Sequence, residues 1–170
     1  MSSNTNIRIR RSNERGFEDF GWTDNWMTFS FANYYDPEWM NFGPIRVIVE
    51  NHIQPHEGFD AHPHEDMEIL TYVSSGTLTH SDNMGNTEPI RAGEMQRLSA
   101  GTGIVHSEMN EHDEVEHNIQ IWILPDKKGH KPSYEMKRFT DEERRNQLRH
   151  YVSGRDESSD AMAINQNVDI

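Results

Sequence analysis

A chain of 170 residues is long enough to form one domain with a real hydrophobic core. Its formal charge of -13 repels phosphate backbones and anionic headgroups, so no direct nucleic-acid contact and no membrane partner are expected. There is no cysteine, which removes disulfides, thiolate metal ligands and a cysteine nucleophile; with no apolar stretch of membrane-spanning length, a cytoplasmic location is expected.

Residues 1–16 are polar and arginine-rich and read as an arm or edge strand. Residues 17–42 gather Phe17, Phe20, Trp22, Trp26, Phe29, Phe31, Tyr34, Tyr35, Trp39 and Phe42, a clustering that points to core or interface packing. From residue 44 the pattern turns to strands: Ile45, Val47 and Val49 alternate with Arg46, Ile48 and Glu50. Residues 68–73 predict a strand, 74–76 a turn, 77–80 a further strand, and 83–86 a hairpin tip. Residues 90–98 continue the pattern, 99–103 form a glycine-bearing turn, and HNIQIWIL at 117–124 is the strongest strand signal in the chain. Short strands at this spacing suggest an antiparallel sandwich or barrel. Beyond Pro125, residues 126–134 are a polar connection, 139–148 predict a short helix capped by Thr140, and 152–170 are polar.

Two of these segments carry chemistry. His62-Pro-His64 lies just before a strand, and His106-Ser-Glu108 follows a glycine-rich turn. Residues at i and i+2 of an extended chain share a face, so two such pairs facing each other offer three imidazoles and one carboxylate. That donor set suits a divalent transition metal with open positions left for water or substrate. A single HxH more often means exposed or hydrogen-bonded histidines; it is the joint pattern that points to metal. Glu68 shares the parity of His62 and His64, so spacing alone leaves Glu68 and Glu108 competing for the fourth place. Of the other histidines in a set of ten, most read as surface or ligand-supporting residues, and His56 and His80 are the best placed to support a ligand.

Residues 58–76 (GFDAHPHEDMEILTYVSSG), 80–86 (HSDNMGN) and 92–110 (AGEMQRLSAGTGIVHSEMN) closely resemble the N-terminal domain of pirins, above all bacterial pirin-like quercetin 2,3-dioxygenases. The likeness continues through QIWILP at 120–125 and YEMKRF at 134–139. Pirins belong to the cupin superfamily. His62, His64, Glu68 and Gly76 approximate its first motif, and Gly93, Gly101, His106 and Asn110 its second. Three residues separate Gly58 from His62, Ser99 stands where the motif has proline, and four residues separate Gly101 from His106 where the motif has two.

The resemblance implies an all-β, cupin-type antiparallel barrel (a jelly roll), the metal-binding barrel of a two-barrel bicupin. The first domain would span 1–140, with 141–170 as linker and start of a truncated C-terminal cupin domain. It assigns the metal to His62, His64, His106 and Glu108 and leaves Glu68 to support a ligand imidazole. Iron leads the expected ions, with nickel, copper, manganese, cobalt and zinc as alternatives. The implied reaction is O2-dependent ring opening of a flavonol with loss of carbon monoxide, with Glu108 as base. Phe59, Ile69, Tyr72 and Ile104 would line the substrate pocket or simply fill the core; Gln120 reads as a core amide, a supporting residue or a substrate contact. The competing readings are a regulatory pirin that works through a protein partner without turnover, and an inactive remnant. If no second barrel follows, the surface it would cover is either solvated or met by a partner, a homodimer being one answer.

Overall fold

A computed structural model describes residues 7–155 and 160–170; part of the predicted N-terminal arm, residues 1–6, lies outside the described residues. The chain forms β1 (Gly16–Asp19), β2 (Thr23–Met27), β3 (Ile45–Ile53), β4 (Gly58–His64), β5 (Glu68–Ser75), β6 (Thr77–Asp82) and β7 (Thr87–Arg91). It continues with β8 (Glu94–Ser99), β9 (Ile104–Met109), β10 (Glu116–Ile123), β11 (Ser133–Arg138), α1 (Asp141–Arg144), β12 (Val152–Ser153) and β13 (Met162–Ala163). A seven-stranded sheet runs β1-β2-β3-β10-β5-β8-β11 and a four-stranded sheet β4-β9-β6-β7, both antiparallel throughout. This is the all-β architecture expected from the strand spacing.

The two sheets close on each other through their apolar faces. Ile53 and Val73 of the larger sheet pack with Leu78 and Ile90 of the smaller, and Ile69 and Leu98 pack with Ile104. In β3 the alternation read from the sequence is the one that forms: Val47, Val49, Asn51 and Ile53 are buried, while the residues between them stay partly open. The strands carrying the histidines come very close. A Cβ on Gly58 would stand 2.3 Å from the Glu108 carbonyl oxygen, so only glycine lets β4 lie against β9 there.

Part of the outer face of the larger sheet is covered as well. Leu70, Met95 and Ile123 are buried against Phe139, Tyr151, Val152, Met162 and Ile164. The segment after residue 140 therefore packs on this barrel. Its helix is a single turn, with Thr140 accepting from the Glu143 amide as the sequence predicted. Tyr151 donates to the Gly93 carbonyl at 2.8 Å in a buried position. Tyr151→Phe is expected to lower stability by about 0.5–1.5 kcal/mol in urea denaturation; an unchanged midpoint would mean that this hydrogen bond adds nothing to the barrel.

The aromatic stretch divides. Trp22, Phe31 and Tyr34 pack against buried clusters, whereas Phe17, Phe20, Tyr35 and Phe42 are 52%, 48%, 72% and 75% exposed. The physical reason is position: β1 is an edge strand and residues 28–44 run outside regular strands, so part of this stretch has nothing opposite it.

Candidate metal centre

β4 and β9 pair antiparallel with His62 directly opposite His106 and Phe59 opposite Glu108. That register turns two local spacings into one cluster. Ring centroids of His62, His64 and His106 lie 4.5–4.9 Å apart, and one donor atom from each falls within 4.8 Å of the others.

The chemistry of these imidazoles fits a metal. His62 Nδ1 lies 2.7 Å from the Asp60 carbonyl; with Nδ1–H donating there, Nε2 is left as the free donor atom. His106 is 1% exposed and neither of its ring nitrogens has a hydrogen-bond partner among the described residues. A buried polar group left unpaired costs about 1–3 kcal/mol, which a metal bond would remove. Burial, reinforced by the neighbouring imidazoles, pushes the His64 pKa down to about 4 and that of His106 down to about 3. Both rings are neutral at neutral pH, the form in which imidazole binds metal.

Glu108 borders the same cavity as His62 and His64, and its position is fixed from the opposite sheet. Gln96 Nε2 donates to Glu108 Oε1 at 2.6 Å and Thr71 Oγ1 donates to the same oxygen at 3.1 Å, while Gln120 Nε2 donates to Oε2 at 2.8 Å. Gln120, Thr71 and Gln96 are cross-strand neighbours on β10, β5 and β8, one row across the inner face of the larger sheet. Gln120 is in turn held by Trp122, whose Nε1 donates to Gln120 Oε1 at 2.7 Å. Of its three sequence readings, the supporting role is thus the one with bonds behind it. The cavity encloses about 180 Å³, with Phe31, Val49, Phe59 and Trp122 as apolar walls and Asn25 and Asn51 as polar ones.

Other expectations sort clearly. His80 is fully buried, lies 5.4 Å from His106 by ring centroid, bonds Asp82 Oδ2 at 3.0 Å and stacks on Tyr134. It stands behind His106. His56 does not: its side chain is 64% exposed beside Asp113, in a turn where its φ of 61° takes the chain out of β3. Glu68 also departs from expectation. Its oxygens accept from Ser99 at 2.6 Å and from Asn165 at 3.0 Å, and it supports no ligand imidazole. β4 and β5 belong to different sheets, and the bend between them, with Asp66 at φ 49°, resets the parity on which its inward direction was read. Tyr72 leaves the predicted pocket too, packing with Tyr151 and accepting from Arg144 at 3.0 Å. Ile69 and Ile104 are core, and Phe59 lines the cavity.

Sequence reasoning missed Thr71, Gln96, Asn25, Asn51 and Trp122. The available signal was polar residues at core parity inside strongly β-forming segments, a costly placement unless those groups bond one another.

A family model described as Pirin matches residues 8–123. The quercetin 2,3-dioxygenase of Escherichia coli strain K12 is 55% identical over 134 residues, 78% of this chain and 58% of that protein. The pirin-like protein of Caulobacter vibrioides is 44% identical over 149 residues, 88% of this chain and 64% of that protein. This chain thus spans less than two thirds of the length of either. The crystal structure of the bacterial pirin YhhW from Escherichia coli in complex with nickel(II) superposes with a TM-score of 0.87 at 46% identity, covering 94% of this chain and 68% of that one.

Proposed function

The chain belongs to the pirin family, and on that premise we propose that it holds one divalent transition-metal ion at His62, His64, His106 and Glu108 and uses it in O2-dependent ring opening of a flavonol-type substrate. The observation that carries the proposal is His106, buried with both nitrogens unpartnered at the centre of a three-imidazole group beside a cavity with apolar walls. Iron is the proposed ion, and nickel, named in the Escherichia coli complex, is the alternative to test beside it.

When bound, the ion would supply a Lewis-acidic, redox-active centre that lowers the pKa of a substrate hydroxyl. The chain's own residues do the rest. His62, His64 and His106 are neutral donors. Glu108, partly released from the ion, would take the hydroxyl proton at Oε2, the oxygen that carries one protein donor where Oε1 carries two. Gln96, Gln120 and Thr71 hold that carboxylate in place. Phe31, Phe59 and Trp122 contact the planar rings and keep water away, which strengthens every charge interaction inside.

The test is anaerobic loading with Fe(II) or Ni(II), followed by O2 uptake on adding quercetin. Substrate-dependent uptake with carbon monoxide release is expected. Metal retained without uptake would overturn the oxygenase reading in favour of a regulatory one. In the same assay, a Glu108→Gln chain that keeps its metal and its full turnover would remove Glu108 as the base.

A further inference from the structure

A second constellation stands on the other side of the barrel wall. His52 on β3 and His117 on β10 are direct cross-strand partners. Their neighbours Asn51 and Asn118 point into the barrel, buried and bonded to each other, so strand alternation sends His52, His117 and Glu50 to the outer face. The two rings stack with centroids 4.2 Å apart, and His117 Nε2 lies 2.9 Å from Glu50 Oε1. Neither ring nitrogen of His52 has a hydrogen-bond partner among the described residues. One donor atom from each of Glu50, His52 and His117 lies within 4.8 Å of the other two.

We propose that Glu50, His52 and His117 form a second metal site, selective for a divalent ion of the zinc, copper and nickel class. Two imidazoles and one carboxylate suit these ions and leave positions for water. A tetrahedral zinc ion with bonds of about 2.0–2.1 Å would set its ligand atoms roughly 3.4 Å apart, so small side-chain rotations close the site. The surroundings limit the freedom of these groups. Arg15 holds Glu50 Oε2 at 2.7 Å, leaving Oε1 for the ion, and Trp26 and His52 pack edge to face with ring centroids 5.0 Å apart. Glu50 and His117 are 25% and 24% exposed, so the ion would exchange with solvent more freely than one beside His106. It would tie β3 to β10 where the N-terminal segment, through Arg15, meets the sheet.

The experiment is zinc stoichiometry. Chelator-stripped protein is dialysed against Zn2+ and bound zinc per chain is read by elemental analysis. Two ions are expected for the natural sequence, one for His52→Ala with His117→Ala, one for His62→Ala with His106→Ala, and none for all four changes together. An outer-face variant that still binds two, or an interior variant that binds none while keeping its circular dichroism, overturns the second site. One ion in the natural chain, lost only with the outer-face changes, would leave this site standing and remove the interior one. Should the double outer-face variant fold poorly, Glu50→Gln is expected to weaken this site several-fold; unchanged affinity there would overturn the proposal.

Discussion

His106→Leu is expected to change stability in opposite directions with and without metal. In chelator the variant should be more stable by about 1–3 kcal/mol, because leucine replaces a buried ring whose two nitrogens have no partner. With metal at roughly a hundred times its dissociation constant, the natural chain gains about 2.7 kcal/mol from binding and the variant gains none of it at this site. Any ion on the outer face stabilises both proteins alike, so the difference between them isolates the interior site. Paired urea denaturations, with chelator and with Fe(II) or Ni(II), measure both signs. A variant that is less stable than the natural chain in chelator would sink the idea. It would mean that His106 is held by its packing against His80, whose ring lies 5.4 Å away, and is not waiting for a ligand.

That cluster was legible because its parts are local. An i, i+2 pair shares a face wherever the chain is extended, and β4 and β9 each keep one pair within a single strand. The strands were legible for the same reason: β3 alternates along its whole length and HNIQIWIL needs no partner to read as a strand. What failed was whatever crossed a turn. Glu68 looked inward only if parity ran unbroken from His64, and the bend at Asp66 takes the chain into the other sheet. The row Gln120–Thr71–Gln96 was invisible because its members come from three strands far apart in sequence, joined only by register. The helix expected over 139–148 shrank to one turn because Phe139 and Tyr151 are both buried on the sheet, ring against ring, and the chain between them must span that short distance. His117, read among the histidines of surface or supporting type, is half-buried on the outer face; that it faces His52 depends on the pairing of β3 with β10.

The second large effect concerns Glu116, at the start of the strongest strand. It is 0% exposed; its Oε2 accepts from Asn118 Nδ2 at 2.8 Å, and its Oε1 has no partner among the described residues. Burial pushes its pKa from 4.5 up to about 8, with the Glu108 charge adding to the shift and the Asn118 bond opposing it. Because the folded pKa lies above the unfolded one, the folded chain holds this proton more tightly. The resulting stability is fully present below the unfolded pKa and is lost as pH rises through about 8. Glu116→Gln keeps an acceptor for Asn118 and cannot ionise. It should match the natural chain near pH 4 and exceed it by a few kcal/mol near pH 9. Metal-free denaturation midpoints across that range measure the effect, and parallel curves for the two proteins would refute it. The Asn118 amide explains why the neutral acid is tolerated here. Its Oδ1 already accepts from Asn51 at 2.9 Å, so it can offer Glu116 only an N–H. One such bond satisfies the carbonyl oxygen of a protonated carboxyl and leaves its O–H unpaired on Oε1, a smaller cost than burying a carboxylate charge with a single donor.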